Sequence, residues 1–550
     1  MLLMLISGVL EWIVYALLLI VYLPIYILGY ATIQKNLLVL KFRRYCGIKI
    51  STSKLGLVSR RSRVTDVLQV STDEEIDFQA NRSLAYVHRM ALWTPRELVR
   101  TLFRQQTIEL ISNEQLAYVI LSTVFAHSVV WDEEREMFRL KMEGFEDLFL
   151  FEGFYWDARH VLVSADGKRI VIQMESGEEF HSDCSQNNIH DYNLAKLHVQ
   201  VCLSYFAPGL SHNHVHFVFP SAICLLSKKV LNRDGTLYKL LSPHFRFTER
   251  INYQALRVGK ATNNKRSMLD RLFFLWQPFP VTKEQFLEGV ARKCKRHYFD
   301  QGALNCDKDE TGDDSPECSR RLHNLFPPDY VTDPELQKIP YLNFLRQYYL
   351  VVRKFVKSIQ PCIDKDEWKL LAEAVAVHVP RFDKVNMVDA IATFIHQVGV
   401  VHFCDHNSYT RYFAYDYGSM AIRTPFETFN NEEHWADIGE QLSLNQDEIK
   451  KNPLLLIRQR DVMRTRCFLN IFVDYIPNSQ CNLQLGETEY NFHDTCASTA
   501  ANDFILQLRN LDENLKIQKH LLNDSASNRE VRGVGMQIVP LKDIVRSVCY

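Results

Sequence analysis

No Cys-x-x-Cys pair occurs anywhere in the 550 residues, and the 13 cysteines are scattered singly from Cys46 to Cys549. This pattern excludes a cysteine-based zinc ribbon and a disulfide framework, and reads as free thiols in a reducing compartment. Glycine and proline are sparse, at 20 and 18 residues, so the chain is neither collagen-like nor a disordered Pro/Gly tract. An excess of one charge is also lacking: 64 basic against 65 acidic side chains give a net charge of −1. Such a balance carries no electrostatic footprint for nucleic acid or for a broadly acidic partner. Internal repeats and low-complexity tracts are absent. What remains is globular composition, 47% hydrophobic. The chain is long for one core but within the range of large single catalytic domains.

Charge is missing in one place above all. From Trp12 to Ala31 the sequence WIVYALLLIVYLPIYILGYA has no ionisable acid or base of the Asp, Glu, Lys or Arg type. As a helix, twenty residues span about 30 Å, the thickness of a bilayer's hydrocarbon core. Pro24 is tolerated in a membrane helix, and Trp12, Tyr15, Tyr26 and Tyr30 sit toward the two interfaces. A cleaved signal peptide is the competing reading. It calls for a basic start and a shorter apolar run, and neither is present. The basic residues Lys35, Lys41, Arg43, Arg44, Lys49, Lys54, Arg60, Arg61 and Arg63 all follow the run. The positive-inside bias then places the C-terminal bulk in the cytosol. Residues 1–34 are read as a transmembrane anchor, 35–80 as a basic and polar connector, and 81–550 as one large domain.

Residues 81–145 carry helical runs, notably TPRELVRTLFRQQTIELI, where Thr94 suits the cap and Pro95 the first turn. The stretch LFLFEGFYWDARHVLVSADGKRIVIQME alternates apolar and polar residues around Ala165-Asp166-Gly167 and predicts a β-hairpin. From about residue 190 the periodicity is helical. Residues 300–320 are acidic and punctuated by Gly and Pro, hence a surface loop. Its DKDETGDD echoes a calcium loop, but Cys318 stands where the closing Glu belongs.

Two apolar helical stretches carry histidines four residues apart: His212 and His216 in SHNHVHFVF, and His402 and His406 in HQVGVVHFCDHNSY. At 100° per residue, i and i+4 lie about 40° apart, so both rings of a pair can face one ion. Neutral imidazole suits iron, copper, nickel or zinc. The alternative for each is a core histidine satisfied by a polar neighbour, and spacing alone does not show that the two helices meet.

The text around these pairs resembles the lipoxygenase family. AKLHVQVCLSYF, from Ala195 to Phe206, is similar to the family's AK-x-W-V-R segment, which opens its first metal helix. KLLSPHFRFTERIN, from Lys239 to Asn252, is similar to KLL-x-PH-x-R[YF]T-x-x-IN. The predicted hairpin, the MAIRTPF segment and the final IVRSVCY resemble family segments in the same order, so the resemblance runs from about residue 145 to Tyr550. It implies a mainly α fold: a large helical domain with a small β-hairpin element, here preceded by one transmembrane helix in place of the family's N-terminal β-sandwich. It also implies one non-haem iron per chain, a polyunsaturated fatty acyl substrate and dioxygen.

Carried over by position, His402 and His406 fill the second metal helix, and the main-chain carboxylate of Tyr550 fills the terminal ligand site. The first helix departs, because the family's two ligand positions fall on Ala207 and His212. Ala207 has no donor, and His216, one turn beyond His212, is inferred to replace it. A second departure is Arg250, where the family keeps Ala or Gly to leave an oxygen pocket. These residues imply a membrane-anchored lipoxygenase-like oxidoreductase. The alternatives are a lipoxygenase-fold lipid-binding or scaffold protein without redox chemistry, and an unrelated histidine-rich metalloenzyme of lipid metabolism.

The anchor reading predicts that, in sealed microsomes with the cytosolic face outward, added protease digests the domain after residue 35 while residues 12–31 stay protected. A shielded domain, or a chain glycosylated at Asn81, would reverse the orientation.

Overall fold

A computed structural model of the protein describes residues 2–45, 50–51, 69–70, 95, 99, 109–142, 158–185, 188–206, 215–216, 219–246, 248, 281–282, 326–377, 382, 385–404, 448, 451–457, 461–462, 464, 484–525, 541–542 and 544–547. The charge-free N-terminal run is part of a longer helix, α1 (Leu2–Tyr45), which continues past residue 34 into the predicted connector. Trp12, Leu17, Ile20, Val21 and Leu28 are exposed along it, whereas Ile33, Leu37 and Leu40 are buried at i, i+4 and i+7, on one face. Two short antiparallel strands follow, β1 (Ile50–Ser51) and β2 (Gln69–Val70).

Within residues 81–145, read as carrying helical runs, α2 (Asn113–Ser122) is helical. Ser112 Oγ accepts from the Gln115 amide at 3.2 Å, and Gln115 Oε1 accepts from the Ser112 amide at 3.1 Å, a reciprocal cap. The TPRELVRTLFRQQTIELI run lies mostly outside the described residues, and the same segment also holds a strand pair that the helical reading did not name. Val129–Asp132 (β3) and Met137–Lys141 (β4) pair antiparallel, Val129 opposite Leu140. Their turn is charged, Glu133 to Glu136, with Glu136 at φ 52°. It carries no Gly or Asn to announce a left-handed residue, so the usual hairpin signal is missing.

The predicted hairpin is present as β5 (Ala158–Ser164) and β6 (Ile170–Met174), turning at Gly167 with φ +70°. The first ten residues of the predicted stretch, 148–157, lie outside the described residues, as does the 300–320 loop. With β7 (Glu179–His181) the strands form one five-stranded antiparallel meander, β3-β4-β5-β6-β7. Alternation divides it: Val129, Leu140, Val161, Val163, Ile170 and Ile172 join the main core, while Met137, Leu162 and Val171 cluster on the opposite face.

The helices are built around α3 (Ile189–Tyr205), which is buried on every side from Leu194 to Tyr205. A helix apolar on one face only would not need this. Here the polar side chains point inward and find partners. Gln200 donates to the Glu109 carbonyl at 3.1 Å and accepts from the Ile111 amide at 3.0 Å. Lys196 Nζ and Tyr192 OH both donate to Asn113 Oδ1, at 3.2 and 2.9 Å, which fixes the start of α2 to α3. Burial pulls the Lys196 ammonium down to about 8.

After α3 come α4 (Phe219–Val230), α5 (Thr236–Leu241), α6 (Pro340–Ile359), α7 (Lys365–Ala376), α8 (Met387–His396) and α9 (Thr495–Ser525). Pro340 opens α6 at its first turn, and Asn386 Oδ1 caps α8 by accepting from the Val388 amide at 3.0 Å. The run Met387–Cys404 is apolar and long enough to cross a membrane, but 89% of it is buried inside the protein. It is a core helix. Phe355 of α6 stacks on Phe504 of α9 with ring centroids 4.2 Å apart.

The α6–α8 contact turns on Asp389, which is 6% exposed. It accepts from Tyr349 OH at 3.1 Å and pairs with Arg353, both from α6. Replacing Asp389 by Ala leaves a phenol and part of a guanidinium facing a dry contact. We expect a loss of about 2–3 kcal/mol in urea unfolding, with Asp389→Asn recovering part of it through Tyr349. A change within experimental error for Asp389→Ala would show that the carboxylate does not hold the two helices.

Candidate metal centre

Two of the sequence-predicted histidines meet. His216, in the helical turn with Val215 just ahead of α4, lies 2.9 Å from His402, Nε2 to Nε2. The ring centroids are 4.7 Å apart and the planes 76° to each other. Both rings are buried, at 4% and 0% exposure. The separation is short for two heteroatoms that both carry lone pairs. Either one ring donates a proton to the other, or both lone pairs turn to a shared cation. Two nitrogens bound cis to one ion at about 2.1 Å stand about 3.0 Å apart. The spacing of His216 and His402 therefore fits a mononuclear centre that takes imidazole ligands.

The helix reaches His402 through an irregular turn. After His396, residues Gln397–Val401 wind as a π-helix, and the His402 amide donates to the carbonyls of Gln397 and Gly399. Such turns change which face of a helix the next side chain presents, and they recur at functional sites. Around the pair, Val215, Val398, Val400, Val401, Phe403 and Cys404 are all buried. Apart from the two rings, these described sequence neighbours are apolar.

The C-terminal segment runs along this same turn. A Cβ built on Gly399 would stand 3.0 Å from the Val545 carbonyl oxygen, so glycine lets the two backbones approach closely. The segment is tied down along its length. The Leu541 amide donates to Asp512 of α9 at 2.8 Å, and the Leu485 amide donates to the Ile544 carbonyl at 2.8 Å. His244 meets the Arg546 carbonyl through Nδ1 at 2.6 Å, and Ser547 Oγ donates to the Arg246 carbonyl at 2.6 Å. Ile544, Val545 and Ser547 are fully buried.

His244 shows how a buried imidazole is settled without a metal. A carbonyl only accepts, so Nδ1 carries the hydrogen, and Nε2 accepts from Tyr490 OH at 3.0 Å. Burial holds this ring neutral, down to about 3. His396 is settled in the same way. Its Nε2–H donates to the Leu345 carbonyl at 2.9 Å, and Tyr330 OH lies 3.4 Å from Nδ1.

His212, His406 and Tyr550, the other expected ligands, and Ala207 and Arg250, the expected pocket residues, lie outside the described residues. The sequence reading passed over His244, Gly399 and Ser547 as individual residues. The KLLSPHFRFTERIN motif contained the first, but nothing in the spacing tied it to a segment 302 residues further on.

No family model matches the chain, and no curated protein matches it in sequence. Solved structures do. A LOX with the Delta413-417:GS change, crystallised anaerobically in complex with arachidonate, aligns over 94% of this chain and 81% of its own, at a TM-score of 0.59 and 12% identity. Coral 8R-lipoxygenase aligns over the same shares with a TM-score of 0.57 and 14% identity. A calcium-dependent 11R-lipoxygenase aligns over 86% of this chain and 72% of its own, with a TM-score of 0.55 and 12% identity. The fold is lipoxygenase-like. At these identities the likeness concerns the fold alone. Within a lipoxygenase-like fold, the mostly helical body and the small antiparallel sheet take the arrangement that the ordered sequence motifs imply.

The buried histidines set a pH dependence. His198, His244 and His396 are each held down to about 3 by burial, against an ordinary value of 6.5. Folded, they stay neutral; unfolded, they take up protons below about pH 6.5. Stability is therefore full above pH 6.5 and declines as pH falls from there toward 3. We expect a lower urea midpoint at pH 5.5 than at pH 7.5, and a smaller difference for His244→Gln. Equal midpoints for the wild-type chain would contradict neutral burial.

Proposed function

We propose that this chain is a membrane-anchored, lipoxygenase-like non-haem iron oxidoreductase that oxidises polyunsaturated fatty acyl substrates with dioxygen. The observation that carries the reading is the 2.9 Å meeting of His216 and His402 in an apolar core, inside a lipoxygenase-like fold. One iron per chain would be held by His212, His216, His402 and His406 and by the main-chain carboxylate of Tyr550. Iron in such a donor set supplies one-electron oxidation of the weak C–H bond between two double bonds. The protein's part is different in kind. The His216 and His402 imidazoles would be neutral donors through Nε2, the carboxylate would balance the cation's charge, and apolar surroundings would keep water from the reacting carbon.

Three further observations support the reading. Val545, in the tail that leads to Tyr550, is buried against Gly399, three residues before His402. A LOX of similar fold was crystallised with arachidonate, a polyunsaturated fatty acid. Helix α1 exposes apolar side chains around its length from Trp12 to Leu28, which suits lipid and not water. The anchor over residues 1–34 then holds the cytosolic domain, residues 81–550, at the source of its substrate, with 35–80 as the connector.

A second reading rests on the sequence departures. Ala207 occupies a family ligand position and Arg250 the position of the oxygen pocket, and both favour a lipid-binding or scaffold protein without redox chemistry. Iron content of the purified full chain, with oxygen uptake on a polyunsaturated fatty acid, separates the two. We expect close to one iron per chain in the wild type and loss of most of it in His216→Ala and in His402→Ala, the latter also less stable. A short polar extension after Tyr550 should lower iron and turnover at least tenfold, whereas Tyr550→Ile keeps both. Full iron in both histidine variants would place the metal elsewhere. An iron-free wild type that still binds fatty acid would favour the second reading.

A further inference from the structure

A second set of donor atoms converges far from the histidine pair in sequence. Cys362 ends the tight Gln360–Cys362 turn that closes α6, and Asp494 and Cys496 form the start of α9. Their two sulfurs and a carboxylate oxygen all lie within 4.8 Å of one another. Burial, with the Cys496 thiol and the Asp494 carboxylate as neighbours, pushes the Cys362 thiol up, so a cation must displace its proton. Cys362 is half-buried, while Asp494 and Cys496 are exposed.

We propose that Cys362, Asp494 and Cys496 form a surface site for a soft divalent cation of the zinc type, with water in the fourth position. The donor set selects the ion. Two thiolates and one carboxylate suit zinc and disfavour calcium or magnesium, which take all-oxygen shells. The geometry is close to ready: tetrahedral zinc with bonds of about 2.0–2.3 Å holds its donors about 3.4–3.8 Å apart, within small side-chain rotations of this cluster. Binding releases the two thiol protons to solvent, and the bound site carries a net charge of −1.

The frame that holds the donors is rigid. Pro361 lies within the turn that carries Cys362, and Ile363 donates back to the Gln360 carbonyl at 3.2 Å. Asp494 caps α9, its Oδ1 accepting from the Ala497 amide at 2.9 Å, which leaves lone pairs on the carboxylate for a metal. The α6–α9 interface behind the site is packed by Phe355, Ile359, Ala497 and Phe504, all buried. A cation here would tie the end of α6 to the start of α9.

The test is a titration of the reduced full-length protein with Co²⁺, followed by displacement with Zn²⁺. Thiolate–cobalt charge transfer in the near ultraviolet reports sulfur ligation, which the four histidines cannot give. We expect one equivalent of Co²⁺ with that band, displaced by one equivalent of Zn²⁺, and a rise in Tm with Zn²⁺. Cys362→Ser and Cys496→Ser should each abolish the band. Asp494→Asn should weaken binding about tenfold while keeping the helix cap, because Asn caps as well as Asp does. His402→Ala should keep the band, which separates this site from the proposed iron centre. Absence of the band in the wild type would overturn the proposal. So would a band that survives in the double serine variant, or a Cys362–Cys496 disulfide in the purified chain that takes up no metal after reduction.

Discussion

An irregular segment buried in a helical core must have its amides and carbonyls met by groups other than its own neighbours, and the region around the histidine pair depends on that requirement. The described residues among 541–547 have no helix or sheet of their own beyond one bridge, Gln484 to Val545. Their polar groups are met one by one: Asp512 for the Leu541 amide, Leu485 for the Ile544 carbonyl, and His244 for the Arg546 carbonyl. An unmet buried group costs about 1–3 kcal/mol, so each partner also selects the path of the segment. That path passes Gly399, and the position of His402 is coupled to it.

The same requirement explains why α3 tolerates polar side chains on all sides. Gln200, Lys196 and Tyr192 each bind a backbone or amide group of the 109–113 segment, so the sheet-side of the molecule and the helical body share a single core. Asp389 does for α6 and α8 what Asn113 does for α2 and α3. The polar contacts set the relative position of helices whose apolar packing alone would accept several.

Much of this was legible in the residues, and for identifiable reasons. The β5–β6 hairpin carried alternation and a glycine turn; the helical body carried 3.6-residue periodicity; the ordered motifs carried the fold. The β3–β4 hairpin was not legible, because its turn is four charged residues and Glu136 takes a left-handed conformation without a Gly or Asn to mark it. Helix α1 runs on through the basic flank to Tyr45, because Lys and Arg extend a helix as readily as they open a connector. In the candidate centre, histidine spacing and apolar context pointed to His216 and His402, but spacing counted on an ideal α-helix could not show the π-turn at Gln397–Val401. His244 was hidden for a different cause: its partners, Tyr490 and Arg546, are remote in sequence.

The π-turn changes how the second histidine helix responds to length, in a way that its composition does not reveal. Residues Gln397–Val401 hold one residue more than the α-helical path between His396 and His402 would use. Removing one of them would let the turn return to regular α winding and leave His402 close to its present phase on the helix. An α-helix without such a turn has no surplus to give up: losing one residue there turns everything downstream by about 100° and draws it back by about 1.5 Å. The surplus residue is therefore slack in the winding, and it lets this helix lose one residue and still aim the imidazole of His402 at His216.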